Sequence, residues 1–339
     1  MNTEYDRRAP TETVLVTGGT GFVAQALIRR LVEENRHLVR ASGRSRPQAM
    51  PGAVEIVEVG SIDADTDWRR ALRDVTVVIH TASRVHVMKE KIPDPLSEFR
   101  RVNVAGTVNL ARQAIEAGAR RFVFISSIKV LGEESPPGRP FLADDLPAPQ
   151  DAYGTSKWEA EQALLALAED SGMEVVIIRS PLVYGPGAKG NFAVIARWLA
   201  RDVPLPLGAL RHNRRSLVAI DNLVDLILTC VDHPAAANQA FLAGDGEDIS
   251  TADLLRRMAK AMDKRAHLIP VPSWLLRSAA IVMGRRAMAR RLCDSLQVDI
   301  SKAQMRLGWT PPVTVDEGLK RAFASLSPGH GGADQGQRG

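Results

Sequence analysis

Residues 13–24, Thr-Val-Leu-Val-Thr-Gly-Gly-Thr-Gly-Phe-Val-Ala, restrict the fold more than any other stretch. The run Thr13 to Val16 is apolar and β-branched enough for a buried parallel strand. It breaks into Gly18-Gly19-Thr20-Gly21, after which Phe22, Val23, Ala26, Leu27, Leu31 and Val32 recur at helical spacing. Strand, glycine turn and helix in that order bring backbone N–H groups and a positive helix end up to a pyrophosphate. Gly18 suits the tight turn, Gly21 lets the backbone approach phosphate, and Ala24 is small enough for close helix–strand packing. The bland alternative is an ordinary strand–helix turn; the placement favours dinucleotide binding.

The same alternation continues. Strands are expected at Leu38–Ser42, Val54–Val59, Val75–Ile79, Phe122–Ile125 and Val175–Ile178, with a further one at Gln239–Ala243. Helices are expected at Asp67–Leu72, from Pro95 through Ile115 with Gly118 as its cap, and from Asp151 or Ala152 to Ser171. This predicts an α/β fold, a Rossmann-like doubly wound parallel sheet, whose ligands bind beyond the C-terminal strand ends. The Gly turn, His80, Ser127 and Tyr184 all fall there. Later segments predict a smaller, mostly helical C-terminal lobe: Phe192–Leu199, Val218–Val231, Ser250–Ala261 with a Ser cap, and basic helices through Arg291. The expected division is 11–184 for the dinucleotide-binding domain, with later returns near 216–245, and 185–215 with 246–325 for the substrate lobe. The polar, Gly-rich tail 327–339 is expected to be disordered.

After the second strand comes Gly43-Arg44-Ser45-Arg46, and no Asp or Glu lies between Leu38 and Gly52. An acid there commonly accepts the ribose 2′-OH bonds of NAD. Ser42, Arg44 and Arg46 would instead hold a 2′-phosphate, which points to NADP, with NAD as the alternative. A solvated basic loop is the bland reading. The net charge of +5 fits anionic ligands, and no Lys/Arg block suggests nucleic acid. Cys230 and Cys293 match no metal motif and fit a reducing cytoplasm, and no metal is expected. The first ten residues lack the apolar core of a secretion signal. The apolar run Trp274–Met283, interrupted by Arg277, is too short to span a bilayer and reads as a core helix, with weak membrane-surface contact as the alternative.

Tyr153 and Lys157 are four residues apart on one predicted helix and so share a face. A phenol near pKa 10 transfers protons poorly at neutral pH; a nearby ammonium stabilises the phenolate. Tyr153 is thus a candidate acid/base toward a carbinol oxygen, with Ser127, at the preceding strand end, bonded to the same oxygen. A bare Tyr-x-x-x-Lys is often only helix surface; its position after the glycine turn and Ser126-Ser127 favours catalysis.

With these motifs the chain resembles the extended short-chain dehydrogenase/reductase family, particularly its nucleotide-sugar members. The resemblance runs from about Thr13 to Phe323 and includes His80-Thr81-Ala82, Asn103-Val104-Ala105-Gly106-Thr107, Tyr153-Gly154-Thr155-Ser156-Lys157, Arg179 to Pro186 and Asp299 to Ala303. It implies cofactor contacts from Gly18, Thr20, Gly21, Phe22, Val23, Arg44, Ile62, Thr81, Ala82, Asn103, Tyr153 and Lys157. It also implies a UDP-sugar substrate, with Asn191 on the UDP, Leu205 and Leu207 flanking uridine, and Arg215 on the diphosphate. A homodimer is a possible assembly of such proteins. Ser61 replaces an Asp that often contacts adenine, and Leu182 replaces an Asn of many relatives. Ile128-Lys129 stands where family dehydratases carry Asp-Glu, which disfavours dehydration.

The runs Ser126 to Gly132 and Leu182 to Phe192 resemble a bacterial polysaccharide subgroup that reduces UDP-4-keto-6-deoxy-N-acetylglucosamine to UDP-N-acetylquinovosamine, as in O-antigen synthesis. The expected activity is therefore NAD(P)H-dependent C4-ketone reduction. Its rivals are a UDP-hexose 4-epimerase with retained NAD, a non-catalytic cofactor-binding sensor, and a steroid or flavonoid ketoreductase.

Overall fold

The computed structural model describes residues 12–44, 52–85, 94–136, 138–188, 190–284 and 286–324. The chain opens with β1 (Thr13–Thr17), α1 (Phe22–Glu34), β2 (Leu38–Gly43), β3 (Glu55–Glu58) and β4 (Val75–His80). It continues through α2 (Pro95–Phe99), α3 (Gly106–Glu116), β5 (Arg121–Ser127), α4 (Ala152–Ser171) and β6 (Glu174–Ser180). These strands and β9, named below, form a seven-stranded sheet, order β3-β2-β1-β4-β5-β6-β9, with every pairing parallel. The crossover from β3 to β4 passes over β1, so the order reverses there, and the glycine turn sits at that switch point.

Alternating residues show why both sheet faces must be covered. Val14, Val16, Val77, Ile79, Val176 and Ile178 face one core cluster, shared with Leu27, Ile28 and Leu31 of α1. Leu15, Val78, Phe122, Phe124, Val175 and Ile177 face the other, shared with Leu110 and Ala114 of α3 and Leu164 of α4. The expected Rossmann-like doubly wound sheet is the observed fold.

The second half contains β7 (Leu182–Tyr184), α5 (Asn191–Ala200), β8 (Arg215–Ala219), α6 (Ile220–Asp232), β9 (Gln239–Leu242), β10 (Asp248–Ile249) and α7 (Thr251–Ala261). It ends with α8 (Ser273–Val282), α9 (Arg286–Cys293), α10 (Ser301–Leu307) and α11 (Val315–Phe323). Strands β10, β8 and β7 make a separate three-stranded sheet. A third cluster, built from Phe192, Leu199, Leu217, Leu255, Met258, Leu319 and Phe323, fills this part.

Three expectations change. Residues 67–72 form turns rather than a helix, because the Asp67 carboxylate accepts from the Arg69 N–H (3.0 Å) and Gln113 takes the Trp68 N–H (2.8 Å). The long helix from Pro95 contains a π-helical stretch, Arg100–Ala105. The expected helix 218–231 starts two residues later, since Val218 and Ala219 pair with β7. The tail 327–339 lies outside the described residues.

Candidate functional site

The glycine turn closes on itself and on its neighbours. Gly21 N donates to Gly18 O (2.7 Å), and Gly19 N donates to Ser42 O (2.8 Å). Gly18 has φ +71°, and a Cβ there would fall 2.9 Å from Ala82 Cα. Helix α1 follows with neither a side-chain cap nor an acidic residue in its first turn. Its orphan N–H groups and positive end therefore suit an anion. Thr20 and Gly21 are exposed there, with Phe22 and Val23 half-buried behind them. This arrangement fits a dinucleotide pyrophosphate.

Thr81 and Ala82 leave β4 beside the turn, Thr81 donating to Thr17 O (2.6 Å). Beneath them His80 is buried between Thr17 Oγ1 (2.7 Å) and Thr107 Oγ1 (3.0 Å). Thr107 donates its proton to Asn103 O (2.8 Å), so His80 Nε2 carries a hydrogen and Nδ1 accepts from Thr17. Burial, aided by Lys157, pushes the imidazole pKa down to about 3. His80 is a neutral strut between β1, β4 and the helix after it. Ile62 is half-buried against the core beneath α3.

Arg44 is exposed at the end of β2, where a 2′-phosphate would need it. Ser42 does not share that place: it is 1% exposed, and its hydroxyl has no hydrogen-bond partner among the described residues. Arg46 and Lys189 lie outside the described residues. The Asn103 amide is occupied by the protein: Oδ1 accepts from Arg84 N (2.8 Å), and Nδ2 donates to Arg84 O (3.1 Å) and Ser156 Oγ (3.0 Å). Asn103 thus ties the 83–84 segment to α4, and any effect on a cofactor passes through that tie.

Strand β5 and helix α4 bring the Ser, Tyr and Lys to one end of the sheet. Asp151 caps α4 by accepting from Gly154 N (2.7 Å), and it pairs with Lys129. Burial works to raise its pKa, but the Lys129 ammonium and the Gly154 N–H hold it below the usual value. Gly154 is demanded by contact, since a Cβ there would meet Lys129 O at 2.7 Å. This seats the first turn of α4 on the turn after Ser127. Ser127 Oγ accepts from Lys129 N (3.3 Å), so its own proton can be given to another oxygen. The Tyr153 ring stands edge-on to Phe99, 5.9 Å between centroids.

The electrostatics differ from the expected lowered phenol. Burial raises Tyr153 to about 12, a hydrogen bond with Ser83 opposes this, and Asp151 adds to it. Burial lowers Lys157 to about 7, with Glu161 opposing. Lys157 is 1% exposed, its Nζ 4.0 Å from the Phe124 ring centre. In the protein alone the two groups are held as neutral-leaning acid and base, because desolvation outweighs their neighbours.

Behind them lies a network that the sequence reading missed. Glu161, fully buried one turn beyond Lys157, accepts from Ser126 Oγ and is chelated by Arg179 of β6 through Nε (3.1 Å) and Nη2 (2.7 Å). Arg179 also donates to Ala143 O (2.9 Å). Two signals pointed to it: Glu161 shares the Lys157 helix face, and Arg179 interrupts an apolar strand.

The residues assigned to the sugar nucleotide are placed less uniformly. Arg215, on β8, donates to Asp294 O (3.1 Å). Burial lowers its pKa, Asp294 opposes and Arg291 adds to the lowering, which marks a guanidinium short of counter-charge. Leu205 and Leu207 are 4% and 8% exposed, locked in the third cluster, while Pro204 before them and Pro206 between them are exposed. Their side chains pack inward instead of presenting a face to a base. Asn191 begins α5 behind Gly190. Tyr184 is not at the strand-end site: its hydroxyl is buried on Asp245 (2.8 Å). Among the described residues, Glu12, His37 and Asp232 could gather around a cation, but Arg120 and Arg36 already pair with the two acids.

Known proteins resemble this chain along most of its length. The UDP-glucose 4-epimerase of Vibrio cholerae is 50% identical over 316 residues, 93% of this chain and 95% of that protein. The dTDP-4-dehydro-6-deoxyglucose reductase of Escherichia coli is 24% identical, across 92% of this chain and 97% of that one. The fold also matches the crystal structure of UDP-glucuronic acid 4-epimerase from Bacillus cereus in complex with UDP-glucuronic acid and NAD. That match has a TM-score of 0.74 at 20% identity and covers 93% of this chain and 98% of that one. No helix among the described residues is long and apolar enough to cross a membrane. Residues 14–244, from the first buried strand through β9, match the NAD dependent epimerase/dehydratase family, and the chain belongs to it.

Proposed function

We propose that the protein is a nicotinamide-dependent oxidoreductase acting at C4 of a UDP-sugar. The observation that supports this most is the convergence of Ser127, Tyr153 and Lys157 where β5 and α4 meet, beside an uncapped helix end. A bound nicotinamide would supply or take up the hydride. Ser127 donates to the C4 oxygen. Tyr153 exchanges the proton with that oxygen, and its high pKa keeps it protonated, as the donor must be before the ketone is reduced. Lys157, poised near neutrality, takes a proton readily; as a cation it favours the tyrosinate in the reverse direction. Arg215 draws the diphosphate, and 185–215 with 246–325 carry the sugar end.

Two net reactions use this set. The reading we carry forward is reduction of UDP-4-keto-6-deoxy-N-acetylglucosamine to UDP-N-acetylquinovosamine with NADPH. Its support is the exposed Arg44 on a strand end without an acid, and the resemblance of the Ser126–Gly132 and Leu182–Phe192 runs. The second reading, 4-epimerisation on retained NAD, has the 50% identical Vibrio cholerae relative in its favour. Incubation with the 4-keto sugar and NADPH, followed by NMR of the product, separates them. Stoichiometric NADPH loss with an equatorial C4 hydroxyl supports reduction. An axial product keeps the class and rejects this sugar. No loss of added cofactor, with interconversion of UDP-N-acetylglucosamine and UDP-N-acetylgalactosamine, establishes the epimerase.

A further inference from the structure

Helices α8 and α9 carry an apolar surface that nothing among the described residues covers. Leu276 and Ala280, four apart, turn one side of α8 toward the protein core. The other side presents Trp274 (67% exposed), Leu275, Ile281, Val282 (87%), Met283 and, from α9, Met288. Positions 274 and 275 lie two turns from 281 and 282, so these residues form one stripe. Soluble proteins seldom expose so continuous a patch without a partner.

Charge identifies the partner. Residues 273–294 hold five arginines, Arg277, Arg285, Arg286, Arg290 and Arg291, and one acid, Asp294, which pairs with Arg277. This short stretch therefore carries a net +4 of the chain's +5. A second copy docking about a two-fold axis would set the same arginines against each other. An apolar stripe with a Trp, flanked by arginines and too short to span a bilayer, has the character of a helix pair that lies in a membrane interface. We propose that α8 and α9 dock the protein on an anionic lipid bilayer, Trp274 and Val282 entering the headgroup boundary and Arg290 of α9 meeting lipid phosphates. Asp294, which immediately follows α9, also bonds Arg215, so docking would bring the membrane beside the proposed diphosphate end of the site.

The test is sedimentation of the full-length protein with vesicles of phosphatidylcholine alone and of phosphatidylcholine mixed with phosphatidylglycerol. Binding to the mixed vesicles only, falling as salt rises, is expected. Trp274→Ser with Val282→Ser should weaken partitioning by about tenfold or more, because two exposed apolar side chains no longer leave water. Arg290→Glu should weaken it independently, with the melting temperature unchanged in both variants. Failure of the native protein to sediment overturns the proposal, as does equal binding to neutral vesicles or no effect of the substitutions. A concentration-dependent dimer, seen by ultracentrifugation and lost in Trp274→Ser, would assign the stripe to self-association instead.

Discussion

The two ends of the candidate site are built differently. At the Tyr153 end, positions are fixed by buried groups with several partners each. Asn103 bonds Arg84 twice and Ser156 once, Glu161 holds Ser126 and Arg179, and Gly154 lets α4 touch the Lys129 carbonyl. At the Arg215 end, the guanidinium bonds one backbone carbonyl among the described residues. Fully satisfied buried networks specify one arrangement, whereas a desolvated guanidinium with donors to spare leaves capacity for an anion. The chemical end is thus preorganised by the fold, and the anion-binding end is completed on binding.

The contrast breaks most sharply at the network. Arg179→Met leaves Glu161 buried without its ion partner and should cost about 3–5 kcal/mol of folding stability in denaturant titration. A loss no larger than that of a surface pair would mean the network does not fix the strand–helix join. Next comes Tyr153→Phe, which should keep cofactor binding and lower turnover by roughly a hundredfold or more, about 2.7 kcal/mol. Arg215→Ala tests the other end. It should raise KM by roughly tenfold or more with kcat little changed, as removal of a charge-assisted bond does. An equal fall in kcat with KM unchanged would place Arg215 in the chemical step.

The last test is a pH slope. His80 is neutral in the folded state with its pKa near 3 and ordinary when unfolded. The unfolded chain therefore binds the extra proton between those values. His80 costs nothing above about pH 6.5 and removes up to about 1.4 kcal/mol of stability per unit as pH falls from there toward 3. Thermal melts of the native protein and His80→Gln across that window check it, the variant showing the shallower slope.

Legibility in the sequence follows the same division. The glycine turn, the sheet and the Tyr153–Lys157 pair were readable because strand alternation, turn glycines and i,i+4 spacing are local signals. The π-helical residues 100–105 hid within a continuous helical pattern, since one extra residue per turn hardly alters apolar periodicity. Strands β7 and β10, three and two residues long, are too short to show alternation. Leu205 and Leu207 were placed by resemblance and Tyr184 by its strand end, and their burial depends on tertiary partners such as Asp245 and the α5–α7 cluster. Glu161 and Arg179 look like surface charges until the strand and helix are joined.

The central claim is that hydride passes between nicotinamide and the sugar C4 while Tyr153 handles the proton. Its most direct test supplies the 4-keto sugar with reduced nicotinamide deuterated at the transferable position and locates the label by NMR. The account predicts deuterium at C4 of the product, with label transfer slowed roughly a hundredfold or more in Tyr153→Phe. Product lacking deuterium at C4, or label transfer unslowed in that variant, would contradict it.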